Sequence, residues 1–233
     1  MRAVWSARAA LIDLDGTLLD TVPDLAAAVN AMRAELGRAP LPLATVAAYI
    51  GKGAEVLVHR ALTDALDGRA DEPLFARGRE AFYRHYRRVN GHAAVVFPGV
   101  PAALAALRRN GLKLACVTNK PREFTTELLA RVELLAAFDT VISGDDTVEK
   151  KPHAAPLLAA CAQLRVDATE AVMIGDSEND LLAARAAGCR AILVEGGYNE
   201  GQPVAALPAD AIVETLADAV LLIAPPATTK SLQ

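Results

Sequence analysis

Cysteine is scarce in this chain: three in 233 residues, at positions 116, 161 and 189. They lie far apart in sequence, flanked mainly by small or apolar residues. That argues against a disulfide framework or a cysteine-rich zinc site and reads as buried small hydrophobes of a reducing compartment. The four histidines, His59, His85, His92 and His153, show no spacing for a zinc or catalytic cluster. No stretch reaches the roughly 18 uncharged apolar residues that a membrane span requires. Arg2 and Arg8 precede no apolar signal-peptide core, so the expectation is a cytoplasmic protein without membrane partners. An excess of basic charge is lacking too: 24 Lys and Arg stand against 28 Asp and Glu, for a net charge of -4. This argues against a nucleic-acid partner, since such proteins concentrate Lys and Arg on one face. The one basic cluster, Arg77, Arg79, Arg84, Arg87 and Arg88, alternates with Phe82, Tyr83 and Tyr86 at helical spacing and reads as a solvated helix face.

Apolar residues, at 53%, are abundant enough for a sizeable core in one large or two modest domains. They fall into short runs, each ended by polar residues. Ala9–Ile12 stops at Asp13, and Gly111–Val117 stops at Thr118-Asn119 before a helix predicted from Arg122 to about Leu135. Phe138–Ile142 stops at Ser143-Gly144. Ala171–Gly175 stops at Asp176, before a helix over Asn179–Ala187, and Cys189–Val194 stops at Gly196-Gly197. Short apolar strands alternating with helical runs predict a parallel sheet covered on both faces, with Ala211–Val213 as an edge strand. Residues from about Pro23 to Gly91 show only helical periodicity, as in Leu25, Ala28, Val29 and Met32, or Phe75, Phe82 and Tyr86. The expectation is an α/β core of residues 1–18 and 92–225, an all-helical insert at 19–91, and a flexible tail at 226–233. Such an insert would sit over the carboxyl ends of the strands, where open α/β sheets bind ligands.

The segment with the most chemistry is Asp13-Leu14-Asp15-Gly16-Thr17. Strand side chains alternate with a period of two, so Asp13 and Asp15 leave the strand end in related directions while Leu14 turns back into the core. Two carboxylates this close repel, which calls for a divalent cation, a shared proton, or both. Asp-Gly is also an ordinary turn signal, but that reading does not account for Asp13 emerging from an apolar strand. Thr118-Asn119 and Asp176 also lie at strand ends, and Lys151-Pro152 lies in a loop before a helix. Distant segments thus converge on one polar site.

In order and spacing, Asp13-Leu14-Asp15-Gly16-Thr17, Thr118, Lys151-Pro152 and Gly175-Asp176-Ser177-Glu178-Asn179-Asp180 resemble the motifs of the haloacid dehalogenase superfamily of phosphotransferases. The resemblance implies a three-layer Rossmann-like core with a C1-type helical cap. Asp20-Thr21-Val22-Pro23-Asp24-Leu25, Ile50-Gly51-Lys52-Gly53-Ala54 and Val117-Thr118-Asn119-Lys120-Pro121 bring it closer to superfamily members that act on 2-phosphoglycolate, a small phosphorylated anion. Two departures are Ile12, where many members carry Phe, and Lys52, at a position often held by Asn.

The chemistry so implied suits the residue types. Asp13 is the nucleophile that forms an aspartyl phosphate, and Asp15 protonates the leaving alkoxide, then deprotonates the hydrolytic water. Mg²⁺ would be held by the carboxylates of Asp13 and Asp176 and the backbone carbonyl of Asp15. Thr118, the Asn119 backbone N–H and Lys151 would hold the phosphoryl oxygens. Asp180, one helical turn after Asp176, would hold a metal-bound water or orient Lys151. Lys52 is the candidate contact for a substrate carboxylate. The expected assembly is a monomer or homodimer. Alternatives within the superfamily are a phosphatase for a sugar phosphate or N-acetylmuramate 6-phosphate, a pyrophosphatase, and a β-phosphoglucomutase-like phosphotransferase. Outside it stands a noncatalytic receiver-like Mg²⁺-binding module, which is about half this length and has no use for a helical insert.

Overall fold

The structure is a computed structural model and describes residues 5–224; the expected tail at 226–233 lies outside the described residues. In chain order the elements begin with strands β1 (Trp5–Ser6), β2 (Ala9–Ile12) and β3 (Leu19–Asp20). Four helices follow: α1 (Val22–Glu35), α2 (Leu43–Tyr49), α3 (Ala54–Thr63) and α4 (Glu72–Val89). The chain returns through β4 (Val95–Val96), α5 (Val100–Arg109), β5 (Lys113–Val117), α6 (Arg122–Arg131) and β6 (Thr140–Ile142). It continues with α7 (Ala155–Leu164), β7 (Ala171–Gly175), α8 (Glu178–Ala187) and β8 (Arg190–Val194). Strand β9 (Ala211–Val213), helix α9 (Leu216–Val220) and β10 (Ile223–Ala224) complete it.

Six strands form one sheet in the order β6-β5-β2-β7-β8-β9, and every pairing in it is parallel. The period-two alternation divides the side chains between two apolar layers. Ala10, Ile12, Leu114, Cys116, Val172 and Ile174 face α5 and α9, while Ala9, Leu11, Ala115, Val117, Ala171 and Met173 face α7 and α8. Burial on both faces explains why these strands read as continuous apolar runs. Strand β2 is central. The chain leaves it toward β5 and β6, then crosses back to β7 on its other side, so the crevice beyond the ends of β2 and its neighbours is the switch point of the sheet. Helix α6 is shorter than predicted. Its turn ends at Arg131, and Glu133 adopts a left-handed conformation, φ 59°, that the helical pattern up to Leu135 conceals.

Helices α1–α4 have their own core, with Leu25, Val29, Met32, Leu57, Phe82 and Tyr86 buried together. Tyr86 also meets Phe124 of α6 at a ring-centroid distance of 4.6 Å, which joins the two cores. The insert leaves and re-enters through β3 and β4, which pair antiparallel. Asp24, in the first turn of α1 and 2% exposed, fastens this junction: its carboxylate accepts from the backbone N–H groups of Gly91 (2.8 Å), Ala93 (2.8 Å) and Ala94 (3.1 Å). Asp24→Ala leaves three backbone donors near the junction without this acceptor. We expect a loss of about 2–4 kcal/mol in urea unfolding, with Asp24→Asn intermediate, because an unmade buried hydrogen bond costs about 1–3 kcal/mol. Unchanged stability in Asp24→Ala would show that the junction does not depend on this carboxylate. No helix of the described residues is long and apolar enough to cross a membrane.

Candidate active site

The carboxyl ends of β2, β5 and β7 bring the polar residues together. The Asp13 N–H donates to Ile174 O at 2.9 Å, continuing the β2–β7 ladder one step past the strand, so the side chain that follows is set by the sheet. Gly16 then turns the chain with φ +88°, and a Cβ there would run into the Asp176 carboxylate; only glycine fits both demands. Thr17 Oγ1 donates to Asp176 Oδ1 at 3.1 Å, and the Tyr198 N–H donates to Asp176 Oδ2 at 2.6 Å.

Lys151 is the centre of the buried charge. Its ammonium lies 2.8 Å from Asp13 Oδ1 and 2.7 Å from Asp180 Oδ1, and it donates to Val117 O at 2.8 Å. Its side chain is 2% exposed. Burial opposes its charge, but Asp13 and then Asp180 outweigh that and push its pKa up. Lys151, not Lys150, thus contacts the Asp pair. Asp180 is spoken for on both oxygens, since Oδ2 accepts from Ser177 Oγ at 2.7 Å and from the N–H groups of Ser177 and Asp176 at 3.2 and 3.3 Å. It closes the first turn of α8 and fixes Lys151.

Burial raises the Asp13 carboxyl from 3.8 to about 7; Asp180 and Asp15 add to the rise and Lys151 opposes it. Burial, followed by Asp180 and Asp13, also raises Asp176 well above its ordinary value. One oxygen from each of Asp13, Asp176 and Asp180 lies within 4.8 Å of the others, and all three residues are buried. Asp13 Oδ1 has no hydrogen-bond donor despite its ion pair, because the Lys151 ammonium is close but poorly directed. Three buried carboxylates share the single positive charge of Lys151. A divalent cation fits this donor set, and hard oxygen ligands suit Mg²⁺ or a similar ion.

The Asp15 carboxylate turns from this cluster to the other wall. It accepts from Thr21 Oγ1 at 2.7 Å and pairs with Lys120 Nζ at 2.9 and 3.0 Å. A cavity lies between the core and the insert. Asp13, Asp15, Thr118 and Asn119 line it from the core, and Ile50, Leu57 and Phe82 from the insert. The Asn119 side chain ties the walls together. It donates to Gly51 O and Lys151 O, both at 2.9 Å, and accepts from the Lys151 N–H at 2.9 Å.

Lys52 stands apart. Its ammonium pairs with Glu200 Oε1 at 2.6 Å, an oxygen shared with Arg60 at 2.5 Å, and Lys52 is not among the residues lining the cavity that holds Asp13. The structure thus does not bring Lys52 to this cavity: here the lysine links the insert to the loop after β8. Three residues were assigned no role from the sequence: Lys120, Thr17 and Tyr198. Lys120 directly follows the strand-end pair Thr118-Asn119 and so carried a signal; Tyr198 and Thr17 reach Asp176 only through the tertiary fold.

The model of the haloacid dehalogenase-like hydrolases matches residues 7–188. A phosphoglycolate phosphatase of Nitrosospira multiformis is 50% identical over 216 residues, covering 93% of this chain and 95% of its own. A phosphoglycolate phosphatase of Thiobacillus denitrificans is 46% identical over 217 residues, again 93% and 95%. Among solved structures, a predicted phosphoglycolate phosphatase of Haemophilus somnus superposes with a TM-score of 0.87 at 30% identity, over 93% of this chain and 97% of the other. With its aspartates at the strand ends and its helical insert above them, the chain belongs to the haloacid dehalogenase-like hydrolase family.

Proposed function

We propose that the protein hydrolyses 2-phosphoglycolate to glycolate and phosphate, with Mg²⁺, through an aspartyl phosphate on Asp13. The observation that carries this reading is the Asp13 carboxylate, paired with Lys151 and lining, together with Asp15, the cavity between core and insert. Similarity to relatives named as phosphoglycolate phosphatases, over 93% of the chain, supports the substrate.

A phosphate monoester resists hydrolysis because charge must be carried on the leaving and nonbridging oxygens during transfer. Asp13 attacks phosphorus in line; its new O–P bond forms as the bond to the glycolate oxygen breaks. Asp15 gives its proton to that departing oxygen, so glycolate leaves as the alcohol. Asp15 then takes a proton from water, and the water oxygen attacks phosphorus, breaking the bond to Asp13 and releasing phosphate. Thr118, Asn119 and Lys151 hold the phosphoryl oxygens, and Lys151 screens Asp13 from the incoming dianion. Asp13, Asp176 and the Asp15 backbone carbonyl would hold Mg²⁺, which would supply positive charge to the same oxygens. Asp180 orients Lys151.

The test is phosphate release from a panel containing 2-phosphoglycolate, sugar phosphates, N-acetylmuramate 6-phosphate and pyrophosphate, each with Mg²⁺ and after chelation. The expected result is the highest kcat/KM for 2-phosphoglycolate, with activity lost on chelation and restored by Mg²⁺. A sugar phosphate or pyrophosphate at the top would overturn the substrate, and full activity after exhaustive chelation would overturn the metal.

A further inference from the structure

Taking 2-phosphoglycolate as the substrate, we propose that the Lys120 ammonium and the Tyr86 hydroxyl form the subsite for its carboxylate. This inference rests on the proposed function and assigns the determinant of its specificity. The substrate has an anion at each end, and its carboxylate carbon is one methylene from the oxygen that leaves phosphorus. If Asp15 protonates that oxygen, the carboxylate lands beside Asp15. The cation beside Asp15 is Lys120, at 2.9 Å.

Elimination leads to the same residue. Among the described residues that line the cavity, Lys120 is the only cation, and Lys151 is committed to Asp13, Asp180 and the phosphoryl end of the substrate. Lys52 and Arg60 are both turned to Glu200. On α4, Arg79, Arg84 and Arg87 pair with Glu55, Glu35 and Glu123 at the surface. Lys150 approaches the turn at Gly53 but does not line the cavity.

Lys120 is held for such a task. Its side chain is 3% exposed, and its ammonium lies 5.2 Å from the centre of the Tyr86 ring. An ammonium has three donors, so contact with Asp15 leaves capacity for a second acceptor. Tyr86 supplies the independent sign of a ligand. It is 1% exposed, it lines the cavity, and its hydroxyl sits beside the Lys120 ammonium, a group that can only donate, with no acceptor for its own proton. Buried hydroxyls are ordinarily satisfied, and a carboxylate reached by both Tyr86 and Lys120 gives this one its acceptor. The surrounding wall is apolar, with Leu25, Ile50, Leu57 and Phe82, and offers nothing to the hydroxyls of a sugar.

The experiment compares kcat/KM for 2-phosphoglycolate with that for its uncharged amide, 2-phosphoglycolamide, in the wild type, Lys120→Met and Tyr86→Phe. Each protein is first checked for folding by circular dichroism. The wild type is expected to prefer the acid by about 100-fold or more, as a buried charge-assisted contact implies. Lys120→Met is expected to erase most of that preference, beyond any loss common to both esters through Asp15. Tyr86→Phe, which removes a hydroxyl whose proton has no acceptor and is not expected to disturb folding, should reduce the preference about tenfold. Lys120→Arg should restore part of it. An unchanged acid-to-amide ratio in Tyr86→Phe overturns the two-donor subsite whether or not Lys120→Met folds. Equal losses on both esters in Lys120→Met reduce Lys120 to a positioning residue for Asp15 and overturn it as well. A wild type indifferent to the acid and the amide instead overturns the substrate reading on which the subsite rests.

Discussion

Asp13→Asn is expected to lower phosphate release by at least roughly 10⁴-fold, because the near-isosteric amide is a very poor nucleophile and no other group stands in its place. The same substitution should act in the opposite sense on stability in the chelated protein. The folded-state pKa of Asp13 is about 7, against an ordinary 3.8, so between these values the folded protein holds a proton that the unfolded chain has released. Stability from this group is intact below about pH 3.8 and is lost as pH rises toward 7. Above pH 7 the charged carboxylate carries the cost of its burial, which Asp180 and Asp15 increase and Lys151 partly offsets. Metal-free Asp13→Asn should therefore gain on the wild type between pH 4 and 7 in urea unfolding and hold a constant lead above that. A lead independent of pH would show that Asp13 is not the group under strain, and wild-type turnover in a folded Asp13→Asn would remove it as the nucleophile.

Lys151→Met is expected to lose both activity and stability. The lysine carries the positive charge that contacts Asp13 and Asp180, and it also donates to Val117 O. Breaking a buried ion pair from one side costs about 3–5 kcal/mol, since the carboxylates stay buried without a partner. Removing a preorganised cation from the transferring oxygens costs about 10²–10³ in kcat. Because Asp13 and Asp176 can share a divalent ion, saturating Mg²⁺ should recover part of the stability but not the rate. Lys150→Met, whose ammonium makes none of these contacts, is the control and should remain within about 0.5 kcal/mol of the wild type. Equal effects of the two substitutions would contradict the central place given to Lys151.

The residues that could be read in the sequence are those fixed by short-range pattern. Asp13, Thr118, Asn119 and Asp176 follow apolar runs of four or five residues, and a run ended by a polar residue marks the carboxyl end of a parallel strand without any knowledge of tertiary structure. The helical insert was legible for the same reason, from the repeat of Phe75, Phe82 and Tyr86 along α4. The pairs β1–β10 and β3–β4 were not, because strands of two residues have no period to detect. The place of Lys52 was not legible because its partner, Glu200, lies far along the chain. Between Gly51 and Gly53, with φ of +115° and +88°, the loop takes a course that composition does not reveal. Lys120 was overlooked because a lysine ahead of Pro121 reads as the entry to α6; only folding sets it against Asp15 and Tyr86.

Rapid acid quench catches the covalent step. Enzyme in excess over 2-phosphoglycolate, with Mg²⁺, is stopped within the first turnover, digested and examined by mass spectrometry. One added phosphoryl group is expected on the peptide containing Asp13, forming before free phosphate appears, decaying as phosphate is released, and never forming in Asp13→Asn. Phosphate released in the first turnover with no label on Asp13 at any time, or a label on another residue, would contradict it.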